Sequence, residues 1–327
     1  MDFSLEDHQD QLLRSVERWL RRSWSAGDVL SSTVRRERWA ELVSYGWTAM
    51  LAHNSDAMSG VLDAALLVEA LAAGGCTLPV TPGGMIAPLL AARADLTAAS
   101  GVDQLVVMDE THPDPTARGL EIADRVIVLR AAPDNSGRSW SVAAVAVQPG
   151  TVEPVQDEGR TVLSRLTSLD NADFCEIDHV AAEQAWLAGA VFSAAELVGL
   201  ARAVLDDCVA YAKVRVQGGK AIGGHQAIQH RLADMLGDIE RARYLTYLAA
   251  TSVEEGGPPT AVHQAKALAA RDCLAAIRSA HQVMGAIAYS VEHQLHHFHK
   301  QAVVAAHEFG SAAWHWAALE QSRRRII

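Results

Sequence analysis

The chain has 327 residues with 28 basic against 39 acidic side chains, a formal charge of −11, and is half hydrophobic but only 6% aromatic. That length suits one large domain or two to three small ones and buries a substantial core. The acidic balance argues against nucleic acid or an anionic membrane surface as the main partner.

The apolar content is carried by Ala, Leu and Val, which favours packed helices over aromatic-rich sheets. No run of eighteen apolar residues occurs, so no transmembrane span is expected. The N-terminal MDFSLEDHQDQ is acidic and polar, unlike a secretory signal. Cys76, Cys175, Cys208 and Cys273 form no CxxC pair and read as buried, reduced thiols of a cytoplasmic protein.

Residues 5–22 place Leu5, Leu12, Leu13, Val16, Trp19 and Leu20 close to one helical stripe. ERWAELVSYGW predicts a second helix with Gly46 as its C-cap. Residues 61–73 are apolar almost all round, the mark of a buried helix. Gly74, Gly75, Pro79 and Pro82 stop it, and a short helix is expected over 84–93.

From 104 the texture changes. QLVVMD, RVIVLRA, WSVAAVAVQ and DFCEIDHV are short strand-like runs between the turn-formers HPDPT, PDNSGR and QPG. They predict a small antiparallel β module of four to six strands. No GxGxxG or GxxxxGK[ST] occurs, so neither a Rossmann nor a P-loop nucleotide fold has support.

From 184 the helical texture returns, with helices expected at 185–216, 225–254, 259–288 and 290–322. Their breaks are RVQGGKAIGGH and EEGGPPT. Such lengths fit a four-helix bundle whose outer surface is a candidate oligomer interface. The fold class is mainly α with a small β module: an N-terminal helical domain (1–103), a reduced middle β domain (104–183) and a C-terminal helical bundle (184–327).

This order, with its motifs, resembles the acyl-CoA dehydrogenases over nearly the whole chain. The stretch from Arg215 to Met235, followed by Glu240-Arg-Ala-Arg243, is similar to the family's Arg-x-x-Phe-Gly turn and the helix after it. Arg215, Gly219, Gln226, Leu232, Ala233 and Met235 match in order and spacing. Gln282-Val-Met-Gly285-Ala286 resembles the family's Gln-x-x-Gly-Gly, and W-x-x-L-x-x-x-G-W and V-E-A-L-A-A-G resemble its N-terminal domain.

The resemblance implies FAD as cofactor, gripped across a subunit interface. A guanidinium such as Arg215 suits a pyrophosphate. Gln217, Gly218, Gln226, Gln282, Gly285 and Ala286 are the other candidate FAD contacts. Gly218 stands where the family commonly has Phe, and Ala286 replaces the second Gly.

The resemblance also exposes gaps. The family's Thr-Glu-Pro-x-x-Gly-Ser-Asp loop and Trp-x-x-Asn/Ser strand, which hold the flavin ring, do not occur in 104–180, and the module is shorter than the family norm. Of the two family positions for the carboxylate base, one aligns with Gly189, seven residues before Glu196. The other falls near Glu308, one residue out of register, or about 100° if the segment is helical.

These features imply a non-catalytic subunit. It would work in a two-plus-two heterotetramer with a full-length acyl-CoA dehydrogenase subunit. The substrate is an acyl-CoA, by analogy a bulky steroid side-chain CoA ester from steroid catabolism, and electron-transferring flavoprotein is the acceptor. Two alternatives stand beside it: a self-sufficient acyl-CoA dehydrogenase with Glu308 as base, and a flavin-free structural pseudoenzyme.

VEHQLHHFHK holds His293, His296, His297 and His299. His293 and His297 are i,i+4 if helical, a spacing that can ligate zinc, but no HExxH or completing ligand accompanies them. A partly wet helix interface is the preferred reading, and no metal is expected. Trp314 and Trp316 point about 200° apart if that end is helical.

Overall fold

The computed structural model describes residues 5–24, 30–48, 50–51, 60–96, 101–108, 113–134, 137–155, 163–170, 172–290 and 292–324. The turn-formers Asn135 and Ser136, the strand-end Asp109 and the first four residues lie outside them.

The N-terminal helices are α1 (Asp7–Ser23), α2 (Ser32–Ser44) and α3 (Val61–Ala73). Gly46 follows the end of α2 with φ +70°, as a C-terminal glycine should. α3 is buried as its composition predicts, and it meets the bundle through Glu69, which pairs with Arg243 at 2.9 Å and accepts from the Tyr247 hydroxyl at 2.8 Å. The short helix at 84–93 is only half α: a π-helical stretch, Val80–Ile86, runs into α4 (Ala87–Arg93). Its Pro82-Gly83-Gly84 run disfavours a regular ladder.

The β module forms two sheets. One has the order β1 (Asp103–Met108), β3 (Arg125–Asp134), β4 (Gly137–Ala146), β7 (Cys175–Glu176). The other has β2 (Thr116–Arg118), β6 (Leu163–Leu166), β5 (Val152–Pro154). The expectation of an antiparallel module of four to six strands is corrected: β1 pairs β3 in parallel, Asp103 opposite Arg125, and the described residues of the module form seven strands. The connection passes through β2 in the second sheet and so is long enough for a parallel return.

α5 (His179–Val214) is the pillar of the molecule, 36 residues and about 54 Å long. It is apolar and long enough to cross a membrane, yet 89% of its most apolar window is buried inside the protein. Its first half packs into the same core as the N-terminal helices and the inner face of the larger sheet. Its second half packs against α6 (Gln226–Glu254), α7 (Thr260–Met284) and α8 (Leu295–His307).

The fourth predicted helix is two. α8 ends at His307, and α9 (Ala312–Arg324) begins after Glu308, Phe309, Gly310 and Ser311. Phe309 at φ +53° and Gly310 at φ +99° end helical progression. Cys76, Cys208 and Cys273 are buried thiols, whereas Cys175 is exposed on the short edge strand β7, contrary to the expectation for all four.

Candidate functional site

A cluster of buried charge lies where α5, β2, α7 and the end of α8 meet. Arg118, on β2, is its centre. It donates to both oxygens of Glu196 on α5 at 2.6 and 2.9 Å, and to both oxygens of Glu308 at 2.9 and 2.5 Å. The Arg118 and Glu196 side chains are 2% and 7% exposed, and Glu308 is 19%. Gln301, on α8, donates to Glu196 at 3.0 Å and to the Cys76 carbonyl at 3.0 Å. Lys266, on α7, donates to the Ala305 and Ala306 carbonyls at 2.9 and 3.0 Å, the open C-terminal end of α8.

Burial dominates the proton affinities here, and the local charges then separate them. It pushes the Lys266 ammonium down to about 7, partly opposed by Glu308 and Glu196. It raises Glu308 despite the Arg118 guanidinium. Glu196 lies below the usual carboxylate range, because burial there is outweighed by Arg118 and Gln301. Arg118 is held firmly protonated by its two carboxylates. The Arg118 guanidinium, hydrogen-bonded to both carboxylates, with Lys266 beside them, lets such a cluster be buried at all.

Glu308 also lines a cavity of about 470 Å³ between the β module and the end of α8. Helical rotation does not apply to Glu308, because it is the C-cap residue of α8, in extended conformation (φ −61°, ψ 139°). Gly189, the other family base position, is filled from outside: a Cβ there would lie 2.3 Å from the Phe309 ring. Behind Phe309, its carbonyl accepts from His315 Nε2 at 3.0 Å. That bond leaves His315 Nδ1 as acceptor, so His263 Nδ1 donates to it at 2.9 Å. Burial lowers His263 to about 4 and His315 to about 2, so both rings are neutral.

The candidate cofactor residues lie elsewhere. β8 (Val216–Gln217) and β9 (Lys220–Ala221) make a hairpin after Arg215, with Gly218 and Gly219 at φ +62° and +80° as its two-residue turn. A Phe at 218 would be strained there, so the departure from the family residue belongs to the turn itself. Gln226 opens α6, and Gly285 (φ +67°, ψ −139°) ends α7 with no atom within 4 Å of where a Cβ would stand.

Short connections make α5, α6 and α7 antiparallel neighbours, so the end of α5, the start of α6 and the end of α7 share one end of the bundle. Arg215, Gln217, Gly218, Gln226, Gln282, Gly285 and Ala286 are therefore brought to one end and are all exposed. They are not brought to the cavity at Glu308, which the 13 residues of α8, about 20 Å of helix, separate from that end.

His293 precedes α8, which corrects the i,i+4 helical pair with His297. It lies 3.4 Å from Asp207, while His281 and His299 share a 3.1 Å contact and the His296 and His297 ring centroids lie 3.8 Å apart with the planes tilted by 42°. No group of three potential metal ligands exists among the described residues. Trp314 and Trp316 fall on opposite sides of α9, Trp314 against Trp186 at 4.6 Å and Trp316 40% exposed.

A family model described as Acyl-CoA dehydrogenase, C-terminal domain, matches residues 181–322. The acyl-CoA dehydrogenase IpdE2 of Mycobacterium tuberculosis is 32% identical over 252 residues, covering 73% of this chain and 71% of that protein. The chain belongs to the acyl-CoA dehydrogenase family. It is thus a member of a family of oxidoreductases.

Among solved acyl-CoA dehydrogenase-like folds, a Tcur3481-Tcur3483 steroid ACAD variant superposes with a TM-score of 0.78 at 17% identity, covering 98% of each chain. The ChsE4-ChsE5 complex from Mycobacterium tuberculosis gives 0.73 at 18% identity over 99% of each chain. PigA, solved with FAD and proline, gives 0.76 at 16% identity over 99% of each chain. At these identities the likeness is one of fold.

Sequence reasoning missed Arg118, Lys266 and Gln301. Each lies outside any local motif. The available signal was a single Lys or Gln on an otherwise Ala-rich helix face, as in AVHQAKALAA and HKQAVVAA.

Proposed function

We propose that this chain is the incomplete subunit of a heteromeric FAD-dependent acyl-CoA dehydrogenase. The complex carries out α,β-dehydrogenation of a bulky acyl-CoA thioester, of the steroid side-chain kind. A complete subunit provides the carboxylate base and the seat of the flavin ring, and electron-transferring flavoprotein accepts the electrons. This chain provides Arg215 and the Gln226 and Gln282–Ala286 groups to the adenosine and pyrophosphate end of FAD across the interface.

The observation that carries this reading is the division of the chain into two ends. At one, Glu196 and Glu308 are both committed to Arg118. At the other, the Arg215 guanidinium makes no ion pair among the described residues and stands beside a glycine turn and an open Gly285. An exposed guanidinium next to accessible backbone fits a pyrophosphate. When bound, FAD supplies the hydride acceptor, and this chain's share is binding and orientation. Val214 and Tyr289, each 75% exposed, and Val216 at 58% leave apolar surface at this end for a partner to cover. The steroid and two-component names of the neighbouring folds support the heteromer and the substrate class.

One observation favours a second reading: Glu308 faces the cavity, and burial raises its proton affinity as a base requires. The two separate in the complex with a complete subunit. With Glu308→Gln in this chain, turnover stays within about tenfold of the parent if the base lies in the partner. It falls by roughly 10²- to 10⁴-fold if Glu308 removes the proton.

A further inference from the structure

The cavity at Glu308 is mainly apolar, and the carboxylates Asp114 and Glu308 are on its wall. Its volume of about 470 Å³ is that of a small-molecule site. Leu105, Val107, Leu163, Trp186, Val303 and Phe309 make most of the lining. The side chains with polar atoms among its lining residues are Asp114, Thr116, Trp186, His307 and Glu308.

Glu308 is an acceptor only. Arg118 uses one direction on each oxygen, and the carboxylate keeps further lone-pair positions open. Asp114, exposed at the rim, is likewise an acceptor. His307 Nδ1 lies 2.8 Å from the Val303 carbonyl, which can only accept, so Nδ1 donates there. The Thr116 hydroxyl serves either way, and the Trp186 indole N–H is a donor. Among the described residues no Lys or Arg lines the cavity, and Arg118 behind it is already engaged with two carboxylates.

A donor on a molecule that fills this space finds the Glu308 and Asp114 carboxylates, and a negative charge on it meets both of them with no Lys or Arg among the described wall residues. We propose that this cavity binds a compact, mainly apolar molecule that carries a hydroxyl or amine donor and no anionic group, its donor on the Glu308 carboxylate. This goes beyond the role proposed above. It concerns the chain's own cavity and requires neither flavin nor a partner subunit.

The test uses one rigid hydrocarbon cage with three heads: 1-adamantanol, 1-adamantylamine and 1-adamantanecarboxylate, titrated calorimetrically into the full chain near neutral pH. The alcohol and the amine bind, and the carboxylate binds at least tenfold more weakly. Glu308→Gln removes most of that discrimination. Val303→Trp, a substitution at a partly exposed wall position, abolishes binding of all three, and Ala117→Trp does the same from the opposite wall. Equal binding of the carboxylate and the alcohol would overturn the proposal. So would no binding of any of the three to the folded chain, or undiminished binding in a folded Val303→Trp or Ala117→Trp variant. Because flavin content is not involved, a negative result leaves the subunit role standing, and failure of that role leaves this result intact.

Discussion

Arg118 decides the chemistry of this chain. One guanidinium holds two carboxylates, and most of its donors are spent on them. Removing the cation from such a group leaves buried charge uncompensated, which costs about 3–5 kcal/mol. Arg118→Met is expected to lower stability by that amount in urea unfolding at pH 7. The deficit should shrink toward pH 5, where the orphaned carboxyls take up protons. A cost below about 1 kcal/mol would mean the pairs behave as exposed ones do. The His263–His315 pair gives a second residue-scale test. Both rings have proton affinities below the ordinary 6.5, so above pH 6.5 their contribution is complete. As pH falls toward 4 the unfolded chain binds protons that the folded chain refuses, and stability drops by on the order of 1.4 kcal/mol per pH unit for each ring. His315→Gln should flatten the urea-midpoint profile between pH 6.5 and 5, and an unchanged slope would refute the assignment. Glu196 and Glu308 stood out in the sequence as acids near the family's base positions, but their sharing of Arg118 was not legible, because Arg118, Glu196, Lys266 and Glu308 lie in four separate elements with no shared spacing.

At the scale of elements, the ends of helices matter more than their bodies. Apolar patterning located α1, α3, α6 and α7 to within a few residues and placed the start of α5 six residues late, because each buries a stripe or a whole circumference against a neighbour. It failed between α8 and α9, where Ala-rich helical texture runs on both sides of Glu308-Phe309-Gly310-Ser311. The break there is made by a phenylalanine at positive φ, which periodicity does not report. That turn drives the Phe309 ring onto α5 and explains why residue 189 is glycine. Gly189→Ala should cost about 1–3 kcal/mol, since the new methyl meets an aromatic ring in a packed core. Combining it with Phe309→Leu should recover much of the loss, and strict additivity of the two in thermal unfolding would contradict the contact. The β module was similarly half legible: its strand runs were visible, but the parallel β1–β3 pairing depends on where the chain returns and not on composition.

For the whole molecule, the three-part order and the motif spacing were enough to point to the family, and the IpdE2 relationship establishes it. The motifs sit at one end of the bundle because two tight connections reverse the chain there and at the far end. This was readable from the glycine and proline breaks alone. The charge cluster and its cavity were not, since they form where the β module closes on α5 and α8. The acidic balance of 28 against 39 now has a local counterpart in a mainly apolar cavity with Asp114 and Glu308 on its wall. The central claim is that this chain grips a cofactor seated mainly on another subunit. Its most direct test is the flavin content of the chain purified alone, of the complex with a complete acyl-CoA dehydrogenase subunit, and of that complex carrying Arg215→Ala. The account predicts little flavin in the first, about one flavin for every two chains in the second, and a marked loss in the third with assembly intact. A complex that forms but contains no flavin, or one whose flavin content is unchanged by Arg215→Ala, would contradict it.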